Sequence, residues 1–150
     1  MTAVNHALTG TAIGLLVGEP LIALPVAVAS HFICDALPHF DSGIPGARLK
    51  SSNFRNYLIL EALLCFLIVL SLALLRPDHW FLASVCAFLA TSPDLLWINR
   101  YLKVRRGQHW KASAYAKFAV KIQWFAKPVG AVFEVAWFIA AILVILPFLR

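Results

Sequence analysis

Residues 56–75 read NYLILEALLCFLIVLSLALL, and residues 128–149 read PVGAVFEVAWFIAAILVILPFL. Each stretch holds one charge, Glu61 in the first and Glu134 in the second. Each is close to the roughly 20 residues that a membrane-crossing helix needs. A third apolar stretch, residues 80–98 (WFLASVCAFLATSPDLLWI), is broken only by Ser92-Pro93-Asp94 near its end. Between the first and third stretches lies Arg76-Pro77-Asp78-His79, where Pro77 makes a turn and Asp78 is suited to cap the next helix.

Composition agrees with this pattern. The 150-residue chain is 61% hydrophobic and 13% charged, with a mean hydropathy of +0.81. A soluble domain of that length has too little interior to hide so much apolar surface. The formal charge of +6 raises the question of nucleic acid. The charges lie between apolar segments, as membrane topology signals do, so nucleic acid is excluded. Cys34, Cys65 and Cys86 lie in different apolar segments without a CxxC pair and read as small buried hydrophobes. Met1–Gly10 carries no basic region of the kind that opens a cleavable signal peptide.

The N-terminal part has shorter apolar runs, residues 7–17 and 21–37, separated by Gly18-Glu19-Pro20. Glycine just past one helix and proline at the start of the next is a stop-start signal. It predicts a short helical hairpin, either two short spans or a re-entrant pair. Pro25 either kinks the second helix or marks its true start. Residues 109–127 (HWKASAYAKFAVKIQWFAK) mix lysines with aromatics at helical spacing, as in a helix lying in the membrane interface. The expected fold is therefore all-α: one polytopic membrane bundle over residues 1–150. It comprises a short N-terminal hairpin, about three spanning helices and an interfacial helix.

Arg48, Lys50, Arg55, Arg100, Lys103, Arg105, Arg106, Lys111, Lys117, Lys121 and Lys127 fall on one side of this scheme, Arg76 and Arg150 on the other. The positive-inside rule makes the rich side cytoplasmic, with the N-terminus inside a multi-pass protein of the inner membrane. The same cations suit the anionic headgroups of membrane lipids or of a lipid-linked substrate.

The few ionisable residues fall at matching depths. His6 precedes the first turn by about 13 residues and His31 follows it by about 12, which puts both roughly 18–20 Å from the turn. Asp35 lies one turn beyond His31 on the same helix face. Glu61 and Asp94 flank the second turn at about 16 residues each, and Glu134 lies about two turns into the last helix. Ionisable groups in hydrocarbon persist when they face one another, water or a metal.

His31-x-x-x-Asp35 offers two ligands from one helix face, His6 offers a third and Asp94 a fourth. Imidazole with carboxylate favours zinc, with manganese or iron as alternatives, over magnesium or calcium. A position left to water would make the site catalytic, with Glu61 or Asp41 as general base.

The strings Asn5-His6-Ala7-Leu8-Thr9-Gly10, Ser30-His31-Phe32-Ile33-Cys34-Asp35-Ala36-Leu37-Pro38-His39-Phe40-Asp41 and Ser92-Pro93-Asp94 resemble the membrane-bound metal-dependent hydrolases. The resemblance covers about the first 45 residues and the neighbourhood of Asp94. The family's Pro-Asp-x-Asp string reads Pro93-Asp94-Leu95-Leu96 here, and its His-Arg-Gly-x-Thr-His-Ser type string has no counterpart. The resemblance implies His6, His31, Asp35 and Asp94 as metal-site residues, with His39 close by. It implies a metal-dependent hydrolase, and at the cytoplasmic membrane face the expected substrate is a lipid or a lipid-linked ester or phosphate.

The same His/Asp/Glu cluster also suits a non-enzymatic metal or proton carrier, which with so few segments needs to form a homo-oligomer. Haem ligation by His6 and His31 is disfavoured by the neighbouring carboxylates. A scaffold with a structural metal is the remaining alternative.

Overall fold

The computed structural model describes residues 1–40 and 47–150, with the side chains of Ala47 and Arg48 left aside. The chain is all-α. The helices are α1 (Ala3–Val17), α2 (Pro20–Ala36), α3 (Ala47–Lys50), α4 (Ser52–Leu75), α5 (Trp80–Thr91), α6 (Ile98–Arg105), α7 (Ala114–Ile122) and α8 (Gly130–Ile145). A 3₁₀ turn over Ser92–Trp97 joins α5 to α6, and another, Leu146–Leu149, ends the chain's last helix. Among the described residues the sole strand-like pairing is an isolated bridge between His39 and Ala126.

Three helical stretches are long and apolar enough to cross a membrane: Ser52–Leu75, Trp80–Arg105 and Gly130–Leu149. The first begins earlier than the apolar run alone suggests, because the Ser51 hydroxyl accepts the Phe54 amide at 3.0 Å and caps the helix. The second continues past the expected end at residue 98, since Pro93 tightens the helix to 3₁₀ geometry without stopping it.

The hairpin signal at residue 18 holds. Gly18 ends α1 in the left-handed conformation (φ 66°), the Glu19 carboxylate caps α2, and Pro20 opens it. Pro25 does not mark the start of α2, which begins at Pro20 and runs through it. At the second turn the expectation for Asp78 fails. The residue before α5 is His79, itself left-handed (φ 61°), and it makes no side-chain cap. The interfacial segment is also less helical than expected. Residues 109–113 are not helical, and α7 starts only where Ser113 caps the Ala116 amide at 3.1 Å. Its lysines, Lys117 and Lys121, are exposed while Ala116 and Ala119 are buried.

The central element is α1, which packs against α2, α4, α5 and α8. Its two glycines make that possible. A Cβ on Gly10 would collide with the Cys86 carbonyl and lie 2.8 Å from the Ala87 Cα. One on Gly14 would strike the backbone of Ala83. Small residues on both sides let α1 and α5 approach closely, as in membrane bundles generally. By contrast, α4 buries only Glu61 and Leu72, and most of its leucines face outward. Thus α4 turns its leucines outward, while Asn5, His6 and Thr11 of α1 are sheltered inside the bundle. Cys34 and Cys86 are buried and Cys65 is half-buried, all as free thiols.

The two hairpin turns meet at one end of the bundle, where Gly18 abuts the His79 ring closely enough that a Cβ would lie 2.8 Å from its Nε2. The start of α1, the end of α2, the Ser92–Trp97 turn and the start of α8 therefore gather at the other end.

Candidate metal centre

His6 and His31 are buried on adjacent helices, with ring centroids 4.2 Å apart and planes inclined by 28°. The equal-depth expectation is met at atomic contact. The Nδ1 of His31 lies 2.9 Å from the Ala90 carbonyl of α5. A carbonyl only accepts, so Nδ1 carries a proton, which leaves Nε2 as the nitrogen able to offer a lone pair. That nitrogen faces two carboxylates, Asp35 Oδ2 at 3.5 Å and Asp94 Oδ1 at 3.9 Å. A backbone carbonyl fixing the tautomer from behind is the support that metal-ligating histidines usually have.

One donor atom each from His6, His31 and Asp94 lie within 4.8 Å of one another. This group can hold a metal ion. Asp94 is the open member, with its side chain 37% exposed, whereas the two histidines are enclosed. The 3₁₀ turn positions Asp94 here, beginning just after the Ala90 carbonyl that orients His31.

Asp35 adjoins the group and ties it together. Its Oδ1 accepts His6 Nε2–H at 3.1 Å and the Met1 amino group at 2.6 Å. Its Oδ2 accepts the side-chain amide of Gln123 at 2.9 Å. The other ring nitrogen of His6, Nδ1, is buried and has no hydrogen-bond partner among the described residues. A buried imidazole nitrogen in that condition is uncommon enough to require an explanation, and a bound ion is one.

The remaining sequence candidates occupy other positions. His39 is buried, donates Nδ1–H to the Leu37 carbonyl at 2.9 Å and lies outside the three-residue group, although it lines a cavity that Asp94 and Asp35 also line. Its backbone is clamped by the Lys127 amide and by Gly130, where a Cβ would lie 2.6 Å from the His39 Cα. Glu61 also lines that cavity while its Oε2 accepts the Val4 amide at 2.9 Å. Asp41 lies outside the described residues.

Glu61 and Glu134 act together on α1. Thr2, at the helix's N-terminal boundary, supplies no side-chain cap. Glu61 takes the Val4 amide instead, and Glu134 Oε2 takes that of Thr2 at 3.3 Å. Glu134 Oε1 accepts the Phe40 amide at 3.0 Å, so one carboxylate joins the start of α1 to the segment after α2. Two carboxylates at a helix N-terminus also complement its dipole. His6 lies one turn further along the helix so anchored.

Gln123 was not visible as a site residue in the sequence. It closes α7 and lies 88 positions from Asp35. A glutamine among lysines and aromatics carries no local signal of such a partner. Nearby, the Tyr115 hydroxyl donates to the Pro93 carbonyl at 3.1 Å and fastens α7 to the Asp94 turn. Burial pushes the Tyr115 phenol up from its ordinary value, and the charges of Asp94 and Asp35 add to the shift, so it remains a donor at neutral pH.

A cavity of about 610 Å³ opens onto this end of the bundle. Asp35, Asp94, Glu61 and Gln123 line its polar side, and Phe54, Tyr57, Leu58, Trp97 and Ile98 its apolar side.

Fold and site together define an all-α bundle with three helices able to cross a membrane and a His/Asp group, its two histidines buried, able to hold a metal ion. No family model, curated protein or solved structure matches the chain.

Proposed function

We propose that this chain is a membrane-embedded metal-dependent hydrolase of the resembled family. Its substrate would be a lipid or a lipid-linked ester or phosphate at the cytoplasmic face of the inner membrane. The observation that carries the proposal is the convergence of His6, His31 and Asp94 donor atoms within 4.8 Å beside an open, amphipathic cavity. Three protein ligands with access to solvent is the arrangement of a catalytic site, whereas structural sites are closed by four.

Zinc suits the donor set best, with manganese or iron as alternatives. When bound, the metal would supply Lewis acidity and lower the pKa of a coordinated water toward neutrality. The chain's own residues do the rest. Asp35 orients His6, and the Ala90 carbonyl orients His31. Glu61 faces the cavity and is the described candidate for general base. The apolar wall would hold the lipid and limit water.

Elemental analysis of detergent-purified protein, wild type beside His31→Ala, tests the proposal. About one metal ion per chain in the wild type, lost in the variant, is the expected result. Equal background metal in both would sink it.

A metal or proton carrier is the second reading, favoured by one specific feature. Buried polar atoms without hydrogen-bond partners among the described residues recur from Thr2, at the boundary of α1, along the helix at Asn5, His6 and Thr11. They extend over roughly 14 Å of helix. Metal uptake into proteoliposomes without turnover of lipid esters would favour the carrier.

A further inference from the structure

Arg100 follows Asp94 by six positions, at the start of α6. The 3₁₀ and α-helical rises put the two roughly 10 Å apart along the axis. Both line the 610 Å³ cavity, and Arg100 is the only arginine or lysine among its described lining residues. Its guanidinium carbon lies 5.4 Å from the Trp97 ring and 5.1 Å from that of Trp110, and the two indoles are 6.1 Å apart.

Indole faces fix a guanidinium by cation–π attraction without consuming its N–H groups. Arg100 makes no ion pair or hydrogen bond among the described residues. A half-buried arginine is thus held in a set orientation with its forked donors unspent. That geometry is suited to the oxygens of a phosphate.

The cavity's other charged side chains argue for a particular ligand. Asp35, Asp94 and Glu61 would repel an anion on their own. With the Met1 ammonium already paired to Asp35, a phosphate becomes favourable between a cation at the His6–His31–Asp94 group and Arg100. The apolar wall continues outward: Leu58 and Ile98 line the cavity and are also 38% and 48% exposed, so its apolar lining runs onto the outer surface of the bundle. This surface is the one that the membrane would cover.

We infer that the cavity binds a lipid carrying a phosphate headgroup, with the headgroup held by Arg100 and the metal group and the tail leaving between α4 and α6 into the bilayer. This rests on the metal-site reading above and narrows its substrate from lipids and lipid-linked esters or phosphates to phosphate-bearing lipids.

The test uses full-length, zinc-loaded protein in detergent micelles, with dioleoyl phosphatidate, dioleoylglycerol and inorganic phosphate as probes. Phosphatidate is expected to bind at least about tenfold more tightly than dioleoylglycerol, the effect of one charged hydrogen-bonding pair. Arg100→Gln should abolish that preference while leaving metal content and helicity unchanged. Arg100→Lys should restore only part of it, since a point charge does not replace the fork. Leu58→Trp should weaken phosphatidate and leave inorganic phosphate as it was.

Equal affinity for phosphatidate and dioleoylglycerol, or an unaltered preference in Arg100→Gln, would overturn the inference. Inorganic phosphate bound as tightly as phosphatidate would overturn the lipid as its source. Metal content reports separately on the metal-site reading. Stoichiometric zinc without phosphatidate preference rejects only the inference, and absence of zinc rejects the reading on which it rests.

Discussion

The imidazole of His6 lies flat against that of His31, 4.2 Å between centroids, and Asp35 touches both rings from one side. Two ligands this close, sharing one carboxylate, act as a unit. His6→Ala and His31→Ala should each abolish high-affinity metal binding, and the double variant should lose little more than either alone. Chelator competition measures all three. Additive losses would show that the rings do not share an ion.

Gln123 reaches Asp35 from the far end of α7, at 2.9 Å. It holds a carboxylate that in turn holds His6. Groups bonded directly to a metal ligand, as Asp35 is to His6, typically contribute about 10–100-fold to metal affinity, and Gln123 acts one bond further out. Gln123→Leu should lower metal affinity by up to about tenfold while the helical content stays at the wild-type level. Unchanged affinity in a competition assay would show that the hydrogen bond does not reach the metal group.

Glu134 accepts amides from Thr2 and Phe40, two segments on either side of the site. In Glu134→Gln one oxygen becomes an NH₂ that confronts a backbone N–H. The buried donor left unpaired should cost about 1–3 kcal/mol. Denaturant titration in micelles reads this as a lower midpoint, and metal affinity should fall with it because α1 carries His6. Full stability in Glu134→Gln would remove the carboxylate from the list of α1 anchors.

Gly10 and Gly14 let α1 sit directly on α5. Overpacking a close contact typically costs about 1–3 kcal/mol. Gly10→Ala should reach that range because its new Cβ meets backbone, which moves less readily than a side-chain tip. By contrast, Gly107→Ala meets nothing within 4 Å, although its φ of +69° makes it a strain control and not a neutral one. Thermal melts of the two variants compare collision with strain directly, and a wild-type midpoint for Gly10→Ala would contradict the packing described.

Much of the scaffold was legible because its signals are local. Hydropathy marked the stretches around Glu61 and Glu134, and Gly18-Glu19-Pro20 marked a hairpin turn. The helical rise then set His6 and His31 level. Local chemistry did not reveal what neighbours do to one another. Asp78 has a capping side chain, yet the chain enters α5 through a left-handed His79. Residues 109–113 have a helical pattern but are not helical, and the helix waits for the Ser113 cap. His39, drawn toward the site by its place after His31 and Asp35, lines the cavity while His6, His31 and Asp94 make the donor group.

The sequence by itself marked which segments are long and apolar enough to cross a membrane and set His6 level with His31, since hydropathy and rise per residue depend on the segment alone. It did not determine rotation about each helix axis or the choice of neighbours. Those came from tertiary packing: Gly10 and Gly14 admit α5 against α1, and Glu61 and Glu134 pin the start of α1. Gln123 arrives at Asp35 from a segment whose own pattern points only to the interface. Depth makes a shared site available to level residues, and close packing selects which of them meet.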